Sequence, residues 1–213
     1  MAQINKPTDY FNTVLYTGNG STNNITGVGF QPDWVWLKHR NNPTAYNHRV
    51  YDVVRGATKN LAPNEPDAEI TSSTELTSFD SDGFTLGSGV AANQNTINHV
   101  SWNWLAGGTA SSNTDGTITS SVSASTTSGF SIVSFNGGGS GSDNIGHGLG
   151  STPKIVLIKD RDGVTDWLWY TTAIDGSYDT LRLNTTGAKT DSSYTAPTSS
   201  VFSFPANTSN DYI

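Results

Sequence analysis

Cysteine is missing from all 213 residues. Disulfide frameworks, thiolate metal centres and cysteine nucleophiles are excluded together. Charge is scarce as well: only 14% of residues are Asp, Glu, Lys or Arg, and the 11 basic ones are scattered in a chain of net charge −7. Phosphate recognition needs a basic face, so nucleic acid is not an expected partner. No apolar run approaches the roughly 18 residues of a spanning helix, so membrane insertion is not expected either. Met1–Lys6 has no apolar stretch of the kind that opens a secretory signal. Long amphipathic helices are also missing, because no window keeps apolar residues at i, i+3, i+4 and i+7.

What the chain has instead is glycine, 22 residues of it, with abundant Ser, Thr and Asn, and aromatic rings at 10% including six Trp. Disordered chains lack aromatics, so this mixture points to short aromatic strands joined by polar turns. The expected fold class is all-β.

The strongest feature is an internal repeat. Tyr16, Gly18, Gly20, Gly27, Gly29 and Phe30 recur as Phe135, Gly137, Gly139, Gly146, Gly148 and Leu149, each 119 residues later. Pro32, Lys38 and Arg40 recur as Pro153, Lys159 and Arg161, 121 residues later. Repetition in register implies a folding unit of about 100 residues used twice. The expected organisation is two tandem antiparallel β-sandwiches, residues 1–108 and 109–213. The second is short of its last strand, because copy two stops at Asp211-Tyr212-Ile213 where copy one begins Val100–Trp104. An uncovered edge of that kind suggests a fragment of a longer chain. Ala106–Asn113 reads as a flexible linker, and Thr117–Ser123 as an edge strand. In Val100–Trp104 the alternation places Val100, Trp102 and Trp104 inward and His99, Ser101 and Asn103 outward.

No constellation carries catalysis. Asp80-Ser81-Asp82-Gly83 and Asp160-Arg161-Asp162-Gly163 start like calcium loops, but the twelfth positions are Ala91 and Thr171 where a bidentate Glu is needed. Both read as tight turns; calcium held by carboxylates on adjacent loops stays open. The acidic cluster Asn64–Glu69 reads as a solvated loop, since glycosidases need carboxylates facing across a cleft. His39, His48, His99 and His147 have no metal-ligand spacing, and His147 reads as a turn residue. The expectation is therefore no enzyme, no catalytic residue, no metal and no cofactor. Trp34, Trp36, Trp102 and Trp104 lie on expected core strands. Trp167, after the Asp160–Asp166 loop, and Tyr46 are the candidates for contact with a glycan.

Tyr10–Gly20, Gly29–Lys38, Tyr51–Gly56, Ser81–Gly87 and Val100–Trp104 together resemble a family of virion structural proteins of tailed bacteriophages, especially those of marine and cyanobacterial hosts. Gly129–Val133, His147-Gly148-Leu149 and Pro153-Lys154 carry the match into the second copy. The resemblance implies lectin-like sandwiches, similar to concanavalin or laminin-G domains and also describable as jelly-roll-like, repeated along a tail fibre or tail-associated appendage. It further implies host-surface attachment or tail assembly, and a place on the exterior of a particle made in the host cytoplasm. Partners would be other virion proteins of tail or capsid, a host cell-surface glycan, and the chain itself as a homo-oligomer, with a trimer expected for a fibre. A head-decoration or head-fibre protein is the alternative within that class, and a polysaccharide depolymerase on a sandwich scaffold is the alternative outside it.

Overall fold

Short runs of alternating large and small side chains, broken by glycine and asparagine turns, give strands and almost nothing else. The computed structural model describes residues 4–41, 44, 46–139, 143–204 and 210–213. The protein is all-β. The first half holds β1 (Phe11–Thr17), β2 (Asn23–Ile25), β3 (Trp34–His39), β4 (Arg49–Asp52), β5 (Lys59–Asn60), β6 (Ile70–Thr71), β7 (Leu76–Asp80), β8 (Gly83–Leu86), a single helical turn α1 (Val90–Asn93) and β9 (Asn98–Trp104). The second half holds β10 (Ser111–Asn113), β11 (Ser120–Ser125), β12 (Phe130–Asn136), β13 (Asp143–Gly146), β14 (Ile155–Ile158), β15 (Leu168–Thr171), β16 (Asp179–Arg182), β17 (Thr190–Asp191), β18 (Val201–Phe204) and β19 (Asp211–Tyr212).

In the first half a four-stranded antiparallel sheet runs β1-β9-β3-β4, and a bridge from Val50 to Leu61 continues it towards the pair β5-β6. A second sheet runs β2-β8-β7. Val35, Leu37 and Tyr51 of the larger sheet meet Ile25, Leu76, Phe84 and Leu86 of the smaller one in a single apolar cluster. The hairpin between β7 and β8 depends on Gly83. Its φ is 155°, and a Cβ there would lie 1.9 Å from the Ile25 carbonyl oxygen. The chain can pass that carbonyl only with no side chain at all.

The second half repeats the arrangement. Its sheets run β10-β11-β12-β19, β14-β15-β16-β17 and β13-β18. Lys159 and Ile213 exchange backbone hydrogen bonds of 2.9 and 3.1 Å, which seats β19 beside the end of β14. The order β12-β19-β14-β15 thus matches β1-β9-β3-β4. Where Tyr16 and His39 flank His99, Phe135 and Asp160 flank Tyr212. Even the stacking recurs: Tyr16 on His99 at 4.8 Å and 5°, Phe135 on Tyr212 at 5.2 Å and 14°. A further cluster holds Phe135, Ile145, Ile158, Tyr170, Phe202 and Phe204.

Several local expectations are corrected. In β9 the facing is the reverse of the one expected: His99, Ser101 and Asn103 are fully buried in the interior, while Trp102 and Trp104 are half-buried on the outer face. The register explains it. Opposite these polar residues the interior receives Val35, Leu37 and Tyr16; Ser101 and Asn103 fit beside the two aliphatic side chains, and the His99 ring stacks on Tyr16. Asn103 Nδ2 donates to the Asn12 carbonyl at 3.0 Å and Ser101 Oγ to the Val14 carbonyl at 3.4 Å, whereas Asn103 Oδ1 and both His99 ring nitrogens are buried without a hydrogen-bond partner among the described residues. The segment after β9 is not a free linker. Asp33 Oδ2 accepts the N–H groups of Ala106 and Gly108 at 2.8 and 3.0 Å, and β10 forms at Ser111. The strand expected at Thr117–Ser123 forms as β11 and lies between β10 and β12, not at an edge.

The acidic loop is likewise no solvated excursion. Glu69 receives Arg161 from the second half through two bonds, 2.9 and 3.0 Å, and Arg55 from its own half at 3.1 Å. Burial alone would raise its carboxyl, but Arg161 and Arg55 hold it below the usual range. Beside this clasp an apolar cluster of Leu61, Ala106, Ile132, Trp167 and Ile213 joins the halves. The corresponding cross-strand site in the second half has its signs exchanged. Lys59 and Glu69, 3.8 Å apart, are replaced by Asp179 and Lys189, 2.7 Å apart.

Candidate functional site

The larger sheet of the first half presents an outer face built of rows across β1, β9 and β3. Phe11, Trp104 and Trp34 form one row, Thr13, Trp102 and Trp36 the next, and Leu15, Val100 and Lys38 the third. Tryptophan at i and i+2 on two neighbouring strands puts four indoles on one side of the sheet. The first row is capped by the second half: Phe130 stacks near Trp104 at 6.1 Å and meets Trp34 edge-on at 6.3 Å. The second row continues beyond that cap. Trp36 and Trp102 stand edge to face, 6.4 Å apart and 80° between planes, each half-buried, beside Leu15 at 59% exposure.

Polar groups rim this pair. Trp36 Nε1 donates to His48 Nδ1 at 2.8 Å, which requires Nδ1 to be unprotonated and leaves any ring proton on Nε2. Burial and then the nearby Lys38 ammonium hold the His48 ring below its ordinary value, so it stays neutral and accepting. The His48 N–H is fixed by Asn64 Oδ1 at 2.8 Å. Lys38 Nζ donates to the Tyr46 carbonyl, which pins the loop beyond β3. The result is an aromatic surface with a neutral imidazole, an ammonium and the Thr13 hydroxyl at its edge. Such a surface offers π faces for C–H groups and polar atoms for hydroxyls.

The two residues expected to touch a glycan fare differently. Trp167 is corrected: it is 1% exposed, inside the cluster between the halves, with Nε1 donating to the Ala62 carbonyl at 3.0 Å. A ring sealed there cannot stack on a ligand. Its position after a polar loop suggested a rim, but the loop folds against the first half through Thr165 N–H to the Pro66 carbonyl, 2.9 Å. Tyr46 is half-buried and leans on His39, ring centroids 4.8 Å apart, while its neighbours Asn42, Pro43 and Ala45 lie outside the described residues. Trp36 and Trp102, assigned to the core by sequence, lie part-exposed on the outer face of the sheet. The paired Trp-x-Trp strings were the available signal, since only one face of each strand can enter the interior.

The turn carboxylates are engaged by backbone groups of the protein itself. Asp82 accepts the N–H groups of Gly27 and Gly29 at 3.0 and 2.6 Å, and Asp160 those of Asp162 and Gly163 at 3.0 Å each. Both loops that began like calcium sites spend carboxylate oxygens on turn backbone. Among the described residues no group of three or more His, Asp or Glu is placed to hold a metal, and no helix is long and apolar enough to cross a membrane. His147 is buried, its Nε2 3.3 Å from the Thr198 carbonyl of a neighbouring loop. In the interior His39 and His99 meet with centroids 4.3 Å apart, and Tyr51 donates to the Glu75 carboxylate. Burial, the nearness of His39 and the opposing pull of the Gln94 backbone leave the His99 ring pushed down to about 4.

The model of a family described as a domain of unknown function, DUF7483, matches residues 6–213. The chain belongs to that family. No curated protein and no solved structure matches it.

Proposed function

We propose that this protein is a non-enzymatic structural component of a bacteriophage particle, an appendage module that attaches to a host-surface glycan through Trp36 and Trp102. Each half is read as a β-sandwich, residues 1–108 and 109–213, because one apolar cluster per half gathers residues from facing sheets. The observation that carries the reading is the part-exposed indole pair, rimmed by Lys38, His48 and Thr13 on a sheet. Rings on strands are held more firmly than rings on loops, so stacking on a sugar costs little ordering. The motif resemblance supplies the virion context, with a tail fibre or tail-associated appendage as the assignment.

A glycan array probed with the intact chain tests this. Binding is expected to fall at least tenfold in Trp36→Ala and in Trp102→Ala, while Trp167→Phe binds as the parent does. Failure of every glycan, or binding indifferent to both indoles, overturns the attachment role. Antibody labelling of intact particles checks the assignment independently, with label expected on the tail.

A further inference from the structure

Strand β1 is the outermost strand of its sheet, and its free edge is unusually well suited to pairing. Leu105 N–H bonds to the Tyr10 carbonyl and Gly18 N–H to the Ile97 carbonyl, each at 2.8 Å. With the in-register pairing of Phe11–Thr17 to β9, these bonds make Asn12, Val14 and Tyr16 the residues of hydrogen-bonded pairs. The backbone groups of Phe11, Thr13, Leu15 and Thr17 therefore point away from β9, into the open. Two of them are already satisfied: Thr13 N–H by Asn12 Oδ1 at 2.9 Å, and the Thr17 carbonyl by Asn23 Nδ2 at 3.3 Å. Among the described residues, no strand pairs with this edge.

Natural edges are blunted by charge, proline or a bulge. None is present here: Phe11–Thr17 reads FNTVLYT and pairs with β9 over seven consecutive residues without a register shift. The same residues carry exposed apolar side chains, Leu15 at 59% and Phe11 at 37%. In the second half the matching strand, β12, has this edge covered by β11 through six antiparallel pairs. The fold accepts a strand in that place whenever one is supplied.

We infer that the occupant at β1 is the β1 strand of a second copy, antiparallel, with the two-fold axis beside Leu15. The pattern of satisfied groups selects that register. Centring on Leu15 pairs Leu15 N–H and carbonyl with their own counterparts, and Thr17 N–H with the Thr13 carbonyl of the partner strand. Among the described residues none of these groups has a partner. The one bond per side that this register would leave to Thr13 N–H and the Thr17 carbonyl joins the two groups that already have partners. Centring on Thr13 or Val14 instead sets a satisfied Thr13 N–H against an open carbonyl. The pairing fuses two four-stranded sheets into one of eight, an isologous contact. It also sets both Trp36–Trp102 surfaces on the same side of it. The inference does not depend on what those surfaces bind.

Sedimentation velocity over a concentration series tests the pairing, with Leu15→Lys as the variant. Lysines beside a two-fold axis repel, and Leu15 is exposed in the single chain, so folding is untouched while dimerisation weakens at least tenfold. A nitroxide on Leu15→Cys, the only thiol in the chain, should give strong short-range spin coupling in the dimer. The pairing is overturned by a monomer at all concentrations, by a trimer, or by a dimer that survives Leu15→Lys without short-range coupling. Should residues ahead of β1 cover the edge instead, the monomer result reports it.

Discussion

At the scale of single residues, His99 has the largest measurable consequence. An imidazole in the interior beside a second one loses hydration when charged and gains only repulsion from its neighbour. Its folded value near 4 lies below the ordinary 6.5. The unfolded chain therefore binds more protons between those limits. The stabilisation is complete above pH 6.5 and lost as pH falls through 4. The gap corresponds to on the order of 3 kcal/mol. His39, His48 and His147 are pushed in the same direction by burial and add to the effect. Urea unfolding at pH 7 and pH 4 should show the loss, and His99→Phe should reduce it; a profile flat across this interval would contradict the interior placement. None of this was legible in sequence. The spacing of the histidines excluded a metal site, but nothing in one dimension brings His39 to His99.

At the scale of elements, strand positions were legible and strand facing was not. Trp34–Leu37 and Val100–Trp104 stood out as strands because alternation and aromatic content are local properties. Which side of β9 faces inward was settled by the neighbours, since β3, β4 and the smaller sheet fill the interior and relegate the indoles to the outside. Alternation alone has two solutions, and hydrophobicity chose the wrong one. The turn chemistry was legible, and Gly83 gives it a number. Gly83→Ala places a methyl group against the Ile25 backbone and should cost about 3 kcal/mol through clash and strain together. Gly27→Ala has a φ of 87° with open space around it, so only the strain of about 1 kcal/mol is expected. Unfolding midpoints of the two variants, compared side by side, check the difference.

At the scale of the whole molecule, the repeat read from glycines and basic residues corresponds to a recurring strand order, while the contact between the copies was invisible. Arg161 was noticed as the counterpart of Arg40, and Glu69 as part of an acidic loop; that they meet depends on how one half leans on the other. Glu69→Gln leaves fully buried Arg55 with Asp52 as its remaining carboxylate and largely buried Arg161 with only Asp211, 3.7 Å away, and so unties the two halves at this site. Such a loss costs about 3 kcal/mol. The parent is expected to unfold in one calorimetric transition that broadens or splits in this variant, and an unchanged sharp transition would mean the apolar cluster alone couples the halves. The exchanged signs at this site make the order of the copies matter. A gene with its two segments transposed would bring Arg40 towards Lys189, a cation already engaged by Asp175, Asp179 and Asp191, in place of the Glu69 carboxylate that Arg161 meets. Opposite signs at these two positions give the pair of copies a direction.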